Sequence, residues 1–417
     1  MLLYWLMRDS VDFPQKYPII CAIALAFGSA IALGISRFSY TLFLPLMRDD
    51  LHWSYFTAGN MNTGNALGYF LGALTCNSLF KRFKLTNVFF VSIVATILLI
   101  MASGLFTSVS LIFISRFLVG TTCTWVFVSG GALAAQLGSK HAERSGWILG
   151  IYYGGVGFGI LLSSIFVNTF HQMAQAQGFE HPWQEAWWGM ALVAALLAIL
   201  LYIPLRSLTT PIAVPKIGQS VPLRKMLPMI ISYFWYGLGH IGYMTFVIAL
   251  IREIGFTGNS IDYFYGLVGA FMMLSSKIWS KLLDQRKDGY VLGSVAMVLT
   301  IACFIPAMIS VFGDTKHLAN WQLIAIFISP MLFGSSMVSA VSATTAFVKH
   351  NLPPEDWVYG IRVFTIAFAV GQILGPFLVG LISDLTGSLG IGLLFSCLIM
   401  LISSLTGYRQ KALASMG

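Results

Sequence analysis

The chain has 417 residues, of which 57% are hydrophobic and 9% are charged, and its mean hydropathy is +0.81. Soluble domains carry about 25% charged residues, so the composition excludes a soluble enzyme, a disordered chain and a secreted disulfide scaffold. The net charge of +9 is not gathered into a Lys/Arg-rich run of the kind that tracks phosphates, which excludes a nucleic-acid-binding protein. A polytopic all-α membrane protein remains.

Twelve apolar segments are long enough to cross a bilayer, for which a helix needs about 20 residues. The predicted spans are 18–46, 54–80, 87–106, 109–136, 146–170, 186–205, 227–251, 260–282, 290–312, 321–348, 360–384 and 388–406. The segment 206–226 is rich in proline and basic residues and predicts a cytoplasmic linker. We therefore expect an N-terminal six-helix bundle over 1–205 and a C-terminal six-helix bundle over 227–417.

The positions of Lys and Arg predict the orientation in the membrane. Nineteen of the 24 fall in or beside segments that face one side, while Arg48, Arg252 and Lys316 fall in loops on the other. Basic residues accumulate on the cytoplasmic side, so we predict that both termini are cytoplasmic and that the protein lies in the cell inner (cytoplasmic) membrane. The N-terminal MLLYWLM lacks a basic leader, and we expect the first span to be retained.

The two halves of the chain resemble each other weakly. Three matches occur in the same order, on spans 1/7, 4/10 and 5/11, and together they favour a six-plus-six duplication. The aligned segments are residues 34–40 (GISRFSY) with 237–243 (GLGHIGY), 115–122 with 329–336, and the glycine pair 155/159 with 371/375.

The stretch from Gly34 to Arg48, followed by Trp53-Ser54 and by residues 64–69 (GNALGY), resembles the bacterial YbfB/YjiJ group of the major facilitator superfamily (MFS). The resemblance to the superfamily covers essentially the whole chain. It implies two six-helix bundles with pseudo-two-fold symmetry, a central cavity lined by spans 1, 4, 7 and 10, and alternating access by rocking of the halves.

The superfamily's loop signature, Gly-x-x-x-Asp-Arg-x-Gly-Arg-Arg, is degenerate after span 2, where Lys81 and Arg82 follow without an Asp. Its counterpart after span 8 keeps Asp284 and Arg286. The resemblance implies that these four residues lie at the inner gate, where only Asp284 and Arg286 of the second half can make the gate contacts in the usual way. The span 5 antiporter signature lacks its proline in residues 150–159, so the motif does not assign antiport.

Three ionisable side chains lie well inside spans, away from the span ends, namely Arg37, Arg116 and His240. A charge at a helix centre costs about 2.5–3.5 kcal/mol even on insertion scales, so each is a candidate functional residue. Tyr40 and Tyr243 lie one helical turn beyond Arg37 and His240, on the same helix face. We predict that these five residues and Trp125 bind the substrate. In the structural alternative, Arg116 snorkels or bonds helix-end carbonyls, and Arg37 bonds a carbonyl freed where Gly34 or Pro45 disturbs span 1.

The positions of the carboxylates predict the sign of the substrate's charge. None of the 15 lies near the centre of a span, so the core is cationic without an acidic counter-ion. An unpaired buried guanidinium is costly, and a substrate carboxylate, sulfonate or phosphate supplies its partner. We predict a small organic anion. His240 is the predicted proton-coupling residue, because histidine has a reference pKa of about 6.5; Asp262 and Asp384 are the next candidates.

Glycines at intervals of four residues predict close helix packing, because they let backbones approach each other. In span 2 they stand beside Asn60, Asn62 and Asn65, which are predicted to hydrogen-bond across the contact. The predicted packing glycines are Gly64, Gly68, Gly72, Gly150, Gly154, Gly371 and Gly375.

These observations predict a secondary active transporter that acts as a monomer in the lipid bilayer, without cofactor or metal and coupled to protons through His240. The alternatives are a multidrug or metabolite exporter of the same fold, a membrane-embedded enzyme and a transporter-like sensor. The sequence has no HExxH, GxSxG or Asp-rich diphosphate motif for an enzyme, and no GxxxxGK[ST] for ATP drive. All five cysteines fall in or beside spans without CxxC spacing, which favours a packing role.

Overall fold

The computed structural model describes residues 13–205, 208, 221–315 and 317–413. Within these ranges the chain forms twelve long helices, one at each predicted span, and no strands, which confirms an all-α polytopic membrane protein. Residues 1–12, Lys316 and most of the predicted linker (206, 207 and 209–220) lie outside the described residues. The helices are α1 (Pro18–Leu51), α2 (Tyr55–Arg82), α3 (Leu85–Ser103), α4 (Val109–Ser139), α5 (Ser145–Ala176), α6 (Pro182–Leu205), α7 (Leu223–Glu253), α8 (Asn259–Gln285), α9 (Tyr290–Phe312), α10 (Asn320–Asn351), α11 (Trp357–Thr386) and α12 (Leu389–Tyr408).

Ten of these helices are long and apolar enough to cross a bilayer on composition alone, and the two long helices that are not are α2 and α8. Both lie between the halves: α2 packs on α11, and α5 packs on α8. A helix that packs against protein on several sides exposes less surface to the lipid, so fewer of its residues have to be apolar. Of the buried asparagines of α2, Asn62 donates to Thr245 on α7 across this interface, whereas Asn65 donates to the Arg116 carbonyl on α4 within the N-terminal half.

Helix α1 is interrupted by a π-helical stretch, Ala30–Phe38, between the α-helical segments Pro18–Ser29 and Tyr40–Leu51. The Ser39 N–H donates to the Gly34 carbonyl at 3.1 Å. A Cβ on Gly34 would collide with the backbone of Val156 and Gly159 on α5, so only glycine permits this close approach. π-Helical segments are rare and frequently occur at functional sites.

Helix α10 is also broken, into Asn320–Met337 and Ser339–Asn351. At the break, the Met337 carbonyl accepts a hydrogen bond from the Tyr236 hydroxyl at 2.6 Å. Helices α1 and α10 therefore present non-helical backbone groups to side chains of other helices, which is tolerated at membrane depth only where protein covers them.

Candidate functional site

Arg37 lies in the π-helical part of α1 and is 3% exposed. Its Nη2 donates to Gln372 Oε1 on α11 at 3.0 Å, and its guanidinium lies over the Tyr69 ring of α2 at 4.6 Å from the centroid. Its Nε has no hydrogen-bond partner among the described atoms. The described ion pairs all lie at helix ends or in loops, so Arg37 is a buried cation whose one polar partner is a neutral amide.

His240 lies beside Arg37 across the boundary between the halves. Its Nε2 is 3.4 Å from Gln372 Nε2, and its Nδ1 is 2.7 Å from the Tyr236 carbonyl oxygen. The imidazole lies against the rings of Tyr236 at 4.7 Å and Phe368 at 5.4 Å, and 1% of the residue is exposed. Gln372 therefore joins the two ionisable residues predicted from spans 1 and 7.

Arg116 has a different environment from Arg37. It is fully buried, its Nη1 donates to the Ser36 carbonyl at 2.8 Å and its Nη2 to the Arg37 carbonyl at 3.4 Å. Its guanidinium lies over the rings of Tyr40 at 4.8 Å and Trp187 at 5.5 Å. These contacts match the structural alternative for Arg116, in which its guanidinium hydrogen-bonds to backbone carbonyls rather than to a substrate.

The hydroxyl of Tyr265 completes this arrangement by donating to the Phe38 carbonyl at 2.5 Å. Three consecutive carbonyls at the end of the π-helical stretch thus receive side-chain donors from α4 and α8. Such donors satisfy backbone groups that lie outside the regular helical ladder. Arg116 and Tyr265 hold the backbone that carries Arg37.

The predicted tyrosines do not pair with Arg37 and His240 as helix spacing alone suggested. The Tyr40 ring faces Arg116, and its hydroxyl donates to the Ala58 carbonyl at 2.8 Å. Tyr243 is buried, with its hydroxyl 2.5 Å from Ser329 Oγ and its ring stacked on Phe333 at 4.4 Å. The tyrosine that does stack on His240 is Tyr236, one turn before it.

Trp125 is half-buried on α4, and its Nε1 donates to Thr75 Oγ1 on α2 at 2.9 Å. This contact lies within the N-terminal half. The structure therefore brings Arg37 and His240 together through Gln372, places Arg116 and Tyr40 behind them, and directs Tyr243 and Trp125 to other partners.

At the predicted inner gate, Lys81 and Arg82 are exposed at the end of α2 and Asp284 is exposed near the end of α8. The partner of Arg286 is Asp288, at 2.8 Å, rather than Asp284. The Arg286 guanidinium also lies over the Tyr290 ring at 4.4 Å. In this conformation the charged pair after span 8 is therefore formed within one loop.

The end of the molecule predicted to face outside is held closed by contacts between the halves. Both carboxylate oxygens of Asp384 on α11 accept from the first backbone amides of α2, Tyr55 N at 2.9 Å and Phe56 N at 2.8 Å. The Tyr55 hydroxyl donates to Glu253. A carboxylate at a helix N-terminus is stabilised by free N–H groups and by the helix dipole. Among the described residues, hydrogen bonds between the halves occur only in the part of the molecule between Arg37 and this end. They involve residues 37–63, 168, 244–265 and 372–384.

The predicted packing glycines fall into two groups. In α2, an added Cβ on Gly68 would collide with the Phe117 backbone, and in α11 one on Gly371 would collide with the Phe234 backbone; Gly64, Gly72 and Gly375 are similarly crowded. In α5, by contrast, a Cβ on Gly150 would lie 3.5 Å from Ser276 Oγ and one on Gly154 would lie 3.8 Å from the Met273 carbonyl oxygen. Gly150 and Gly154 line an apolar cavity of about 450 Å³ between α1, α5 and α8.

Gln372, Tyr69 and Tyr265 were not predicted as site residues. Gln372 did carry a signal, since it is an isolated amide in an otherwise apolar span, and polar residues in spans usually serve a contact or a function. The two tyrosines carried none, because the chain has 16 tyrosines and their facing directions depend on the packing of helices far apart in sequence.

The fold is that of MFS transporters. It is similar to a bacterial homolog of the human lysosomal transporter Spinster, solved in an inward-facing, unoccupied conformation, with a TM-score of 0.69, 12% identity, and coverage of 95% of this chain and 96% of that one. It is also similar to the nucleoside transporter NupG, with a TM-score of 0.67, 12% identity, and coverage of 93% and 98%.

Residues 29–407 match the family model described as "Uncharacterised MFS-type transporter YbfB", and the chain belongs to this family. It is 22% identical over 411 residues to the proton-coupled antiporter flippase LtaA of Staphylococcus aureus, covering 95% of this chain and 96% of LtaA. It is 25% identical over 183 residues to the multi-drug resistance efflux pump PmrA homolog of Lactococcus lactis, where it spans 42% of that relative. The protein is therefore a multi-pass membrane transporter of the MFS.

Proposed function

We propose that the protein is a secondary active transporter that carries a small organic anion across the cytoplasmic membrane by alternating access. The observation that carries the proposal is the buried guanidinium of Arg37, which lies between the halves with the neutral oxygen of Gln372 as its acceptor and an unpartnered Nε. Burial makes an uncompensated charge expensive, and a bidentate carboxylate or phosphate compensates it. Both halves of the site belong to one chain, so we propose that a monomer suffices.

The charges around Arg37 disfavour a cationic substrate. The carboxylates on the helices that surround the site lie at helix ends, as with Glu253 on α7, Asp262 on α8 and Asp384 on α11. An organic cation at this level would face a guanidinium without a neutralising acid. An anion fits the same level with complementary charge.

Transport assays in proteoliposomes test this proposal. We expect counterflow of at least one anion among succinate, citrate, gluconate and glutamate to exceed that of lactose and ethidium. Arg37→Gln removes the charge and should reduce anion counterflow about 30-fold or more, the loss of a charged hydrogen bond of about 2–3 kcal/mol. Arg37→Lys should retain part of the activity.

The control variant is Arg409→Gln, which removes a charge from an exposed position near the end of α12 and should transport as the wild type does. Wild-type anion transport in Arg37→Gln would contradict the proposal. So would preferred transport of lactose, or of ethidium, which would favour a drug exporter instead.

We also propose that transport is coupled to protons through His240, since imidazole is the side chain that changes charge near neutral pH and His240 lies within the same cluster. With an imposed pH gradient, wild-type accumulation of the anion should depend on the gradient. His240→Gln should transport down the anion gradient yet show no response to pH. A full pH response in His240→Gln would redirect the assignment to Asp262 or Asp384.

The orientation proposed from the basic residues places both termini in the cytoplasm. A fluorescent-protein fusion to the C-terminus should then be bright and an alkaline phosphatase fusion at the same point inactive. The opposite pattern would reverse the assignment of inner and outer ends.

A further inference from the structure

The hydrogen bonds of Gln372 have a direction that Arg37 fixes. A guanidinium has donors and no acceptor, so the atom of Gln372 at 3.0 Å from Arg37 Nη2 must be the carbonyl oxygen Oε1. The NH₂ group of Gln372 then faces His240 Nε2, which must accept. The opposite ring nitrogen, Nδ1, faces the Tyr236 carbonyl and therefore carries the proton. The series of hydrogen bonds from Arg37 through Gln372 and His240 to Tyr236 is therefore consistent only with a neutral imidazole on His240.

A proton on His240 Nε2 removes the hydrogen bond from Gln372, because the Gln372 NH₂ and the Nε2–H are then two donors that face each other. The amide of Gln372 removes the conflict by rotating so that Oε1 accepts from the imidazolium, but its NH₂ then faces Arg37, which needs another acceptor. An anion at Arg37 is such an acceptor. Conversely, an anion that takes Arg37 frees Oε1 to accept from a protonated His240. The proton alone leaves a donor facing a donor, and the anion alone leaves Gln372 Oε1 without a donor. Either defect costs about 1–3 kcal/mol in a buried site.

We infer that Gln372 is a positioning residue that couples the two ligands: its side-chain amide turns between Arg37 and His240, so that the organic anion and the proton bind together and are carried in the same direction. This inference rests on the proposed function and deepens it. Gln372 touches both partners and belongs to α11, so its rotation is sensed by α1 and α7, one from each half.

The other groups near His240 do not supply an equivalent acceptor. Of the tyrosine hydroxyls one turn away on its own helix, that of Tyr236 donates to the Met337 carbonyl and that of Tyr243 pairs with Ser329. From α2, Tyr69 lies against Arg37. From α11, Phe368 stacks on the imidazole and does not titrate. The described carboxylates of α7 and α11, Glu253 and Asp384, lie away from His240, at the end predicted to face outside, where both are hydrogen-bonded to Tyr55.

Proton uptake on anion binding tests the inference directly. Isothermal titration of the purified protein with succinate, citrate, gluconate or glutamate, in buffers of different ionisation enthalpy at one pH, gives the number of protons taken up per anion. We expect uptake approaching one proton, and an anion affinity that rises about tenfold per unit fall in pH where the coupling acts. In His240→Gln the uptake should vanish.

The decisive variant is Gln372→Met, which keeps both ionisable residues and the side-chain volume but removes the amide. We expect it to bind the anion with less than about a threefold change in affinity per pH unit. Gln372→Asn is one methylene shorter, cannot reach both partners, and should behave in the same way if the methionine variant does not fold. Gln285→Met, at the exposed end of α8, is the matched control and should couple as the wild type does.

The outcomes separate this inference from the function on which it rests. Binding of an anion with wild-type proton uptake in Gln372→Met and in Gln372→Asn would overturn the role of Gln372 and leave the anion transporter intact. Proton release on binding, as an antiporter requires, would also overturn it. If none of the four anions binds the wild-type protein, the anion assignment falls and the coupling falls with it.

Discussion

At the scale of single residues, two buried arginines that are alike in sequence have different tasks. Arg116 binds the carbonyls of Ser36 and Arg37, whereas Arg37 has one neutral side-chain acceptor. Both are isolated basic residues in apolar spans, so their sequence surroundings predict a site without dividing the roles. The division depends on where the backbone of α1 departs from the α-helix, in a stretch whose Gly34 packs closely against α5.

The two arginines should differ in their effect on stability. Arg116→Leu leaves two buried carbonyls without donors and should lower the free energy of unfolding by about 2–4 kcal/mol. Arg37→Leu removes a buried charge that lacks a counter-ion and should change it by less than about 1 kcal/mol or raise it. Equilibrium unfolding in mixed detergent micelles measures both, and a larger loss in Arg37→Leu would contradict this division.

At the scale of helices, hydrophobic patterning predicted the positions of all twelve long helices, ten of which are apolar enough to span a bilayer on composition alone, because the length of an apolar run is set by the thickness of the bilayer. It did not predict the π-helical stretch in α1 or the break in α10. The distortions depend on tertiary contacts, such as the approach of Gly34 to Val156 and Gly159, and a single sequence records the glycine without its partner. Glycine spacing likewise marks where two helices could approach closely, but it does not show whether a partner helix is there.

The glycines of α2 and α5 give a test of this limit. Gly68→Ala places a Cβ against the Phe117 backbone and should lower the free energy of unfolding by about 1–3 kcal/mol through overpacking. Gly154→Ala meets atoms at ordinary contact distance and should be neutral or stabilising by up to about 1 kcal/mol, since alanine favours the helix. Both variants are compared by the same unfolding measurement, and equal losses would show that Gly154 also packs tightly.

At the scale of the whole molecule, the two halves meet through pairs that are far apart in sequence. Arg37 and Gln372 are 335 positions apart, and Asp384 lies 329 positions from Tyr55. The internal repeat predicted that Arg37 and His240 occupy equivalent places, but a repeat does not specify which side chain of a third helix stands between them. The intramembrane cations were therefore predictable; the amide of Gln372 stands out in the sequence, but its place between them does not follow from it.

Closure of the predicted outer end should depend on the charge of Asp384, which binds the N-terminus of α2. Asp384→Asn should shift the protein towards opening at that end, because the neutral amide binds helix N–H groups more weakly. Fluorophores on cysteines at the exposed positions 52 and 257 report the separation of the halves by energy transfer, against five native cysteines that are buried.

The matched control for this change is Asp288→Asn, which loses the same charge from an ion pair within one half and should leave the energy transfer unchanged. Equal distance distributions in wild-type protein and in Asp384→Asn would show that the outer end is closed by packing alone.

We propose that a substrate anion takes the place of the Gln372 oxygen on Arg37, and anion counterflow by Gln372→Glu is the sharpest test of this exchange. The substitution sets a permanent carboxylate where the substrate's carboxylate is proposed to bind, 3.0 Å from Arg37 in the native arrangement. We expect the Gln372→Glu protein to be at least as resistant to thermal unfolding as the wild type, with anion counterflow reduced about tenfold or more. Undiminished anion counterflow in a well-folded Gln372→Glu protein would contradict it.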